Sequence, residues 1–306
     1  TSANVRAAWD VMLNANYNYG VRFTSEVYGM KNKGPQGYGT QSIPYGAQNL
    51  ERALLLLLED FDTFKNSECY LYDLSEIMRQ VVSNYSTLTY NDILAAKNSR
   101  DLDSFLEAKE KFLNSLQVLN AVQATQQNQL AGEWIGKATD MAAAYDDFSA
   151  DVFEMQAKAL ITSWGSRSSN RSLKDYGWRN YEGMFLDLYA SVWEDYLAEV
   201  EDYVRSGNAI DEKSLNEYFD VYWQWNLSEQ DYLREAKDSP EEVYEAAQLV
   251  LENCLLTDTV DVNAGNLALG REAGYAGTAS GTAKGAVDGD ASTGFTVRGG
   301  TKAPQI

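Results

Sequence analysis

Trp164, Asp175 and Tyr176 are the residues of this sequence whose types and spacing best suit a binding site. Trp164 stands at the mouth of a polar, glycine-containing stretch, Ser163-Trp164-Gly165-Ser166-Arg167-Ser168-Ser169-Asn170. Asp175 and Tyr176 follow it, with Arg171, Trp178 and Arg179 close by. Aromatic faces beside a carboxylate and guanidinium donors are what a neutral or N-acetylated sugar requires: apolar stacking plus a few directed hydrogen bonds. Loops of this composition carry function more often than helices do. The competing reading is that the Trp164 ring simply closes the end of a helix.

Catalysis is harder to place. Glycoside hydrolysis typically needs two carboxyl groups, one acting as acid and the other as nucleophile or base. With 45 Asp and Glu in the chain, pairs are inevitable. Asp73, Glu133 and Asp175 sit beside apolar or aromatic residues, yet acidic residues at helix starts commonly serve as caps or dipole partners. Tyrosine nucleophiles exist in rare glycosidases, and nothing in the sequence distinguishes one of the 20 tyrosines. Histidine is absent, which removes Ser-His-Asp and Cys-His arrangements and every imidazole zinc site. Asp288-Gly289-Asp290 resembles the opening of a calcium loop, but the later glycine and terminal Glu are missing. The expectation is no metal and no cofactor.

The net charge of -20 would repel phosphates and anionic head groups, so nucleic acid is not an expected partner. No apolar run long enough to span a bilayer and no charged-then-apolar leader is present. The start at Thr1 reads as a cut in a longer chain. Cys69 and Cys254 show no metal spacing, leaving one disulfide or two buried thiols equally open.

The elements that must position these residues are mostly helices. Leu54-Leu55-Leu56-Leu57-Leu58, within Asn49 to Phe64, predicts a helix apolar on every side and therefore buried, starting at Tyr45-Gly46. Leu74, Ile77, Met78, Val81, Val82, Tyr85 and Leu88 recur at three- and four-residue steps and give the strongest helical period. Leu102 to Leu119 repeats it, with Ser99 or Asp101 as cap, so a helical hairpin is expected. Further helices are predicted over Leu130 to Met141, Phe148 to Leu160 and Tyr181 to Tyr203, the last stopped by a left-handed Gly207. Two more follow, over Leu215 to Trp223 and from Ser239-Pro240 to Cys254.

Beyond Leu256 the composition turns to Gly, Ala, Thr, Val and Asp, and Val260-Asp261-Val262 alternates as a strand would. A β-sandwich needs about 100 residues, so this stretch reads as truncated. The first 48 residues, with a helical stretch around Ala7 to Ala15 and a Gly/Tyr-rich loop through Gly34 to Gly39, read as a connector to something upstream. The fold class predicted is all-α, a multi-helix bundle or array with a short, truncated β-sandwich-like C-terminal tail. The domain division is 1–48 connector, 49–256 helical domain and 257–306 truncated module.

Several ordered motifs resemble the C-terminal helical domain of the family 89 α-N-acetylglucosaminidases. Tyr72-Asp73-Leu74 with Arg79-Gln80-Val81, and Leu130-Ala131-Gly132-Glu133-Trp134, are similar to two of its segments. Most specific are Ala157-Lys158-Ala159-Leu160-Ile161-Thr162-Ser163-Trp164-Gly165 and Leu173-Lys174-Asp175-Tyr176, with Ser42-Ile43-Pro44-Tyr45 and Trp193 in the same register. The chain departs from the family at Val192-Trp193, where an Arg-Trp pair is usual, and at Asp175-Tyr176-Gly177, where Asp-Tyr-Ala is usual.

The resemblance implies part of a secreted bacterial, exo-acting, retaining hydrolase that removes terminal α-linked N-acetylglucosamine from mucin-type or related glycans. Its two catalytic glutamates would lie on an upstream (β/α)8 barrel, and this chain would supply one wall of the sugar pocket through Trp164, with Asp175 and Tyr176 beside it. Asn266-Leu267-Ala268-Leu269-Gly270 and Ala286 to Thr293 likewise resemble the start of a discoidin-like carbohydrate-binding module. The expected partners are a glycan ending in α-linked N-acetylglucosamine and the upstream barrel, at an extracellular or cell-surface location. The alternative is a helical binding or scaffold protein without catalysis. A helical glycosidase using its own Asp175 or Glu133 is disfavoured.

Overall fold

The structure is a computed structural model that describes residues 2–15, 17, 43, 45–145, 149–164, 179–210, 215–256, 279–280 and 296–297. Its contacts divide the chain into two units, Thr1–Thr24 with Ser42–Asn84 and Leu255–Ile306, and Ser25–Gln41 with Tyr85–Cys254. The helices are α1 (Ala3–Ala15), α2 (Ala47–Leu58), α3 (Phe61–Phe64), α4 (Glu68–Ser99), α5 (Leu102–Gln123), α6 (Ala131–Ala142), α7 (Ala150–Ile161), α8 (Ala190–Ser206), α9 (Leu215–Leu227) and α10 (Pro240–Asn253). The described residues are therefore overwhelmingly helical, as the periodicities predict. No described helix is long and apolar enough to cross a membrane.

In the first unit α1 packs on α2, with Ala8 and Met12 buried from one helix and Leu50, Ala53, Leu54 and Leu57 from the other. The five-leucine run does not make α2 buried all round as expected: Leu55, Leu56 and Leu58 are only half-buried. At 100° per residue a run of five necessarily wraps past the single face that meets α1. The helix also stops at Leu58 rather than at Phe64. Its carbonyl ends need partners there, and the buried Tyr70 hydroxyl supplies one by donating to Leu57 O at 2.7 Å. Burial pushes the Tyr70 phenol up to about 12, so it stays protonated and able to donate. Glu51 is 5% exposed, and its Oε1 accepts the Leu256 N–H at 2.8 Å.

The described residues of the tail are two short antiparallel strands, β1 (Ala279–Ser280) and β2 (Thr296–Val297), with Ala279 opposite Val297. The sandwich-like module expected over 257–306 and the Gly/Tyr-rich part of the connector otherwise lie outside the described residues.

In the second unit, α5 begins at the second of the two candidate caps. Asp101 accepts the Ser104 N–H at 3.2 Å, while the Ser99 hydroxyl donates back to Ala95 O in the last turn of α4. The core centres on Trp193 of α8, fully buried, with Tyr90 and Phe112 meeting its ring edge-on at 5.3 and 5.0 Å. Edge-to-face pairs of this kind add about 0.5–1.5 kcal/mol each beyond area burial. Gly207 ends α8 at φ 80° and Ser239 caps α10, both as predicted, and Glu242 adds the reciprocal half of a capping box that the sequence reading did not include. The long helix expected from Tyr181 instead opens with a wide π turn, Phe185–Tyr189.

Between α9 and α10 the chain runs as a strap without regular structure. The Gln127 side chain donates to Arg234 O at 2.8 Å and accepts the Ala236 N–H at 2.9 Å, and Arg234 pairs with Asp140. Gly132 and Gly136 of α6 let it approach: a Cβ on Gly132 would meet the Leu233 and Tyr232 carbonyls, and one on Gly136 the Arg234 guanidinium. Cys69 is an exposed free thiol and Cys254 a buried one, so neither of the two arrangements left open by the sequence is adopted.

Candidate functional site

Helix α7 buries Ala157, Lys158, Ala159 and Ile161 and ends in the turn Thr162-Ser163-Trp164. Thr162 and Ser163 are each 1% exposed, whereas the Trp164 side chain stands out at 43%. Its backbone lies in the left-handed region, φ 55°, and its N–H donates to Ala159 O at 2.6 Å, which closes the end of α7. The Trp164 backbone thus closes the helix, while its side chain remains part-exposed.

The floor of this turn is made by α9. Asn226, 1% exposed, accepts from the Thr162 hydroxyl at 2.8 Å and donates through Nδ2 to Ser163 Oγ at 3.0 Å. Lys158 is fully buried, pairs with Glu154 at 2.6 Å and donates to Ser228 O at 2.6 Å. Its ammonium also sits over the Trp225 and Tyr232 rings, 5.1 and 5.7 Å from their centroids. Trp225 Nε1 donates to Tyr232 Oη at 2.8 Å. Burial, then the nearby Asp187 carboxylate, drives the Tyr232 phenol well above its ordinary range, so it remains a neutral hydrogen-bonding group. A buried charge persists only when paired and hydrogen-bonded, and Lys158 has both.

Of the residues singled out in the sequence, Trp164 is placed at this turn. Asp175 and Tyr176, with Arg171 and Trp178, lie outside the described residues. Glu133 is in the first turn of α6 and pairs with Lys137 at 2.7 Å, the helix-start role that competed with a catalytic one. Asp73 lies on α4, its carboxyl held above the usual range by burial and then by Glu76. Glu51, its pKa pushed up to about 7 chiefly by burial, would hold a proton as a general acid must, but at 5% exposure it is closed to a sugar. Among the described residues no three His, Cys, Asp or Glu are grouped to hold a metal ion. Among the described residues the turn offers an aromatic face; its Thr162, Ser163 and Asn226 side chains are buried and bonded to one another, and Glu154 is engaged by Lys158.

Asn226 and Lys158 were not identified as site residues from the sequence. Lys158 left a signal, a cation amid Ala157, Ala159 and Ile161 with Glu154 four residues before it. Asn226 left none, because its partners are 63 and 64 residues away.

Comparison with known proteins agrees with this architecture. The family described as alpha-N-acetylglucosaminidase (NAGLU) C-terminal domain matches residues 1–252. The human alpha-N-acetylglucosaminidase is 27% identical over 233 residues, covering 74% of this chain and 30% of the human protein. CpGH89 from Clostridium perfringens, solved in complex with its substrate GlcNAc-alpha-1,4-galactose, superposes with a TM-score of 0.74 at 25% identity, covering 87% of this chain and 31% of its own. A family 89 glycoside hydrolase from the same organism, bound to 2-acetamido-1,2-dideoxynojirmycin, gives 0.71 at 26% identity, covering 85% of this chain and 30% of its own. The chain thus spans about 30% of the length of these relatives. With a family model matching residues 1–252 and the helical fold in accord, the chain belongs to the alpha-N-acetylglucosaminidase C-terminal domain family.

Proposed function

We propose that this chain is the C-terminal helical part of a secreted, exo-acting, retaining α-N-acetylglucosaminidase, and that Trp164 forms one wall of its sugar pocket. The catalytic glutamates belong to a preceding barrel, consistent with the share of its relatives that the chain spans. Asp175 and Tyr176 extend the same wall, and the residues after Leu256 begin a carbohydrate-binding module. The single observation that carries the reading is an indole held out at 43% exposure on a turn whose other two side chains are buried.

The magnitude follows from area. Covering about 50 Å² of one indole face with the apolar face of a sugar contributes roughly 1.3 kcal/mol at about 25 cal/mol per Å². Trp164→Ala in the full-length enzyme is therefore expected to lower kcat/KM on an aryl α-N-acetylglucosaminide about tenfold. Unchanged kcat/KM removes Trp164 from the pocket. The present chain by itself is expected to show no turnover, and measurable turnover by the pure chain defeats the assignment of catalysis to a preceding barrel.

A further inference from the structure

Trp164 occupies a backbone state that costs an L residue about 1–2 kcal/mol, and such a state persists only where its surroundings leave no alternative. One restraint is the Trp164 N–H bond to Ala159 O, which any helix end of this type could make. A further restraint comes from α9. The Asn226 amide spans the two residues before the tryptophan, meeting Thr162 Oγ1 at 2.8 Å and Ser163 Oγ at 3.0 Å.

All three side chains are 1% exposed, so water does not compete for these bonds, and Thr162 Oγ1 also lies 2.8 Å from Lys158 O. The base of the amide is fixed in turn. Lys158 Nζ donates to Ser228 O, two residues past Asn226, and lies 5.1 Å from the centroid of the Trp225 ring, holding the end of α9 against α7.

From this geometry we infer that Asn226 is a positioning residue for Trp164: its amide, through the Thr162 and Ser163 hydroxyls, sets the direction in which the indole leaves α7. The Lys158 side chain holds the two helices together, and the Asn226 amide meets both hydroxyls of the turn. The consequence for substrate rests on the reading of Trp164 as a sugar platform, whereas the positioning itself does not. A preorganised ring meets a sugar without first having to be ordered, which is where such a contact gains its affinity.

The test uses 19F NMR of the chain labelled with 5-fluorotryptophan, which carries seven tryptophans. The Trp164 line is identified by its absence in Trp164→Ala. In Asn226→Leu that line is expected to shift or broaden while the Trp9 and Trp193 lines hold. Ser163→Ala, which removes one of the two amide contacts without added bulk, is expected to move it less and in the same direction, and carries the test if Asn226→Leu does not fold. A Trp164 line unmoved in the folded variants overturns the inference, whatever Trp164 does with a sugar.

In the full-length enzyme, Asn226→Leu is expected to lower kcat/KM to an extent comparable with Trp164→Ala, with the double variant no worse than Trp164→Ala alone. Losses that multiply show that Asn226 acts by another route and overturn the inference. A Trp164 line that moves in Asn226→Leu while Trp164→Ala leaves kinetics unchanged sinks the sugar-platform reading and leaves the positioning role standing.

Discussion

Glu51→Gln isolates the effect of one buried carboxyl on the first unit. Glu51 is 5% exposed, and desolvation pushes its pKa from 4.5 to about 7, with the Leu256 N–H bond opposing it. For an acid whose folded pKa is raised, the folded state holds its proton while the unfolded state has lost it, so stability is fully present below 4.5 and drains away as pH rises through about 7. The span from 4.5 to about 7 corresponds to at most about 3 kcal/mol. Glutamine cannot ionise, yet it keeps the Oε1 that accepts the Leu256 N–H at 2.8 Å. The variant is therefore expected to match the wild type near pH 4 and to exceed it by about 2–3 kcal/mol near pH 8. Urea unfolding followed by the 19F line of Trp9, the one tryptophan in the sequence of that unit, reads the difference at each pH. A gap between the two proteins that is the same at pH 4 and pH 8 refutes the reasoning, because a packing change carries no proton.

One further substitution and one reagent probe the rest of the chain. Gly132→Ala drives a methyl into the Leu233 and Tyr232 carbonyls of the strap, rigid backbone rather than a flexible side chain, and is expected to cost about 1–3 kcal/mol in thermal unfolding read at 222 nm; an unchanged Tm shows that the strap can lift away. A thiol reagent at pH 8 is expected to titrate Cys69 alone in the folded chain and both cysteines in urea, since Cys254 is buried and its thiol is pushed up to about 12. Two equivalents reacting without denaturant contradict the burial of Cys254.

Local signals carried most of the helices. The three- and four-residue recurrence from Leu74 to Leu88 falls inside α4, Gly207 takes the left-handed stop, and Ser239-Pro240 opens α10 with Glu242 completing its cap. Each depends on groups within one or two turns of chain, so sequence order alone suffices. Where two local choices were equivalent, tertiary context decided. Ser99 and Asp101 both suit a cap, and Ser99 was already committed to the Ala95 carbonyl in α4. The leucine run of α2 states that apolar surface exists, but only the packing of α1 selects which face is buried.

The candidate site divides the same way. Trp164 could be named from the sequence because a large aromatic at a polar, glycine-containing helix exit is a local anomaly. That its ring is exposed while Thr162 and Ser163 are buried depends on α9 lying beneath the turn. Lys158 is charged in the sequence, but its tolerance of complete burial depends on Glu154, Ser228 O and two rings gathered by the fold. The sequence by itself determined the helices, their ends and the aromatic that interrupts them, because those follow from neighbours along the chain. Only the tertiary structure decided which polar groups could be buried and which way the indole points, because the compensating partners are 63 to 70 residues away and meet only on folding.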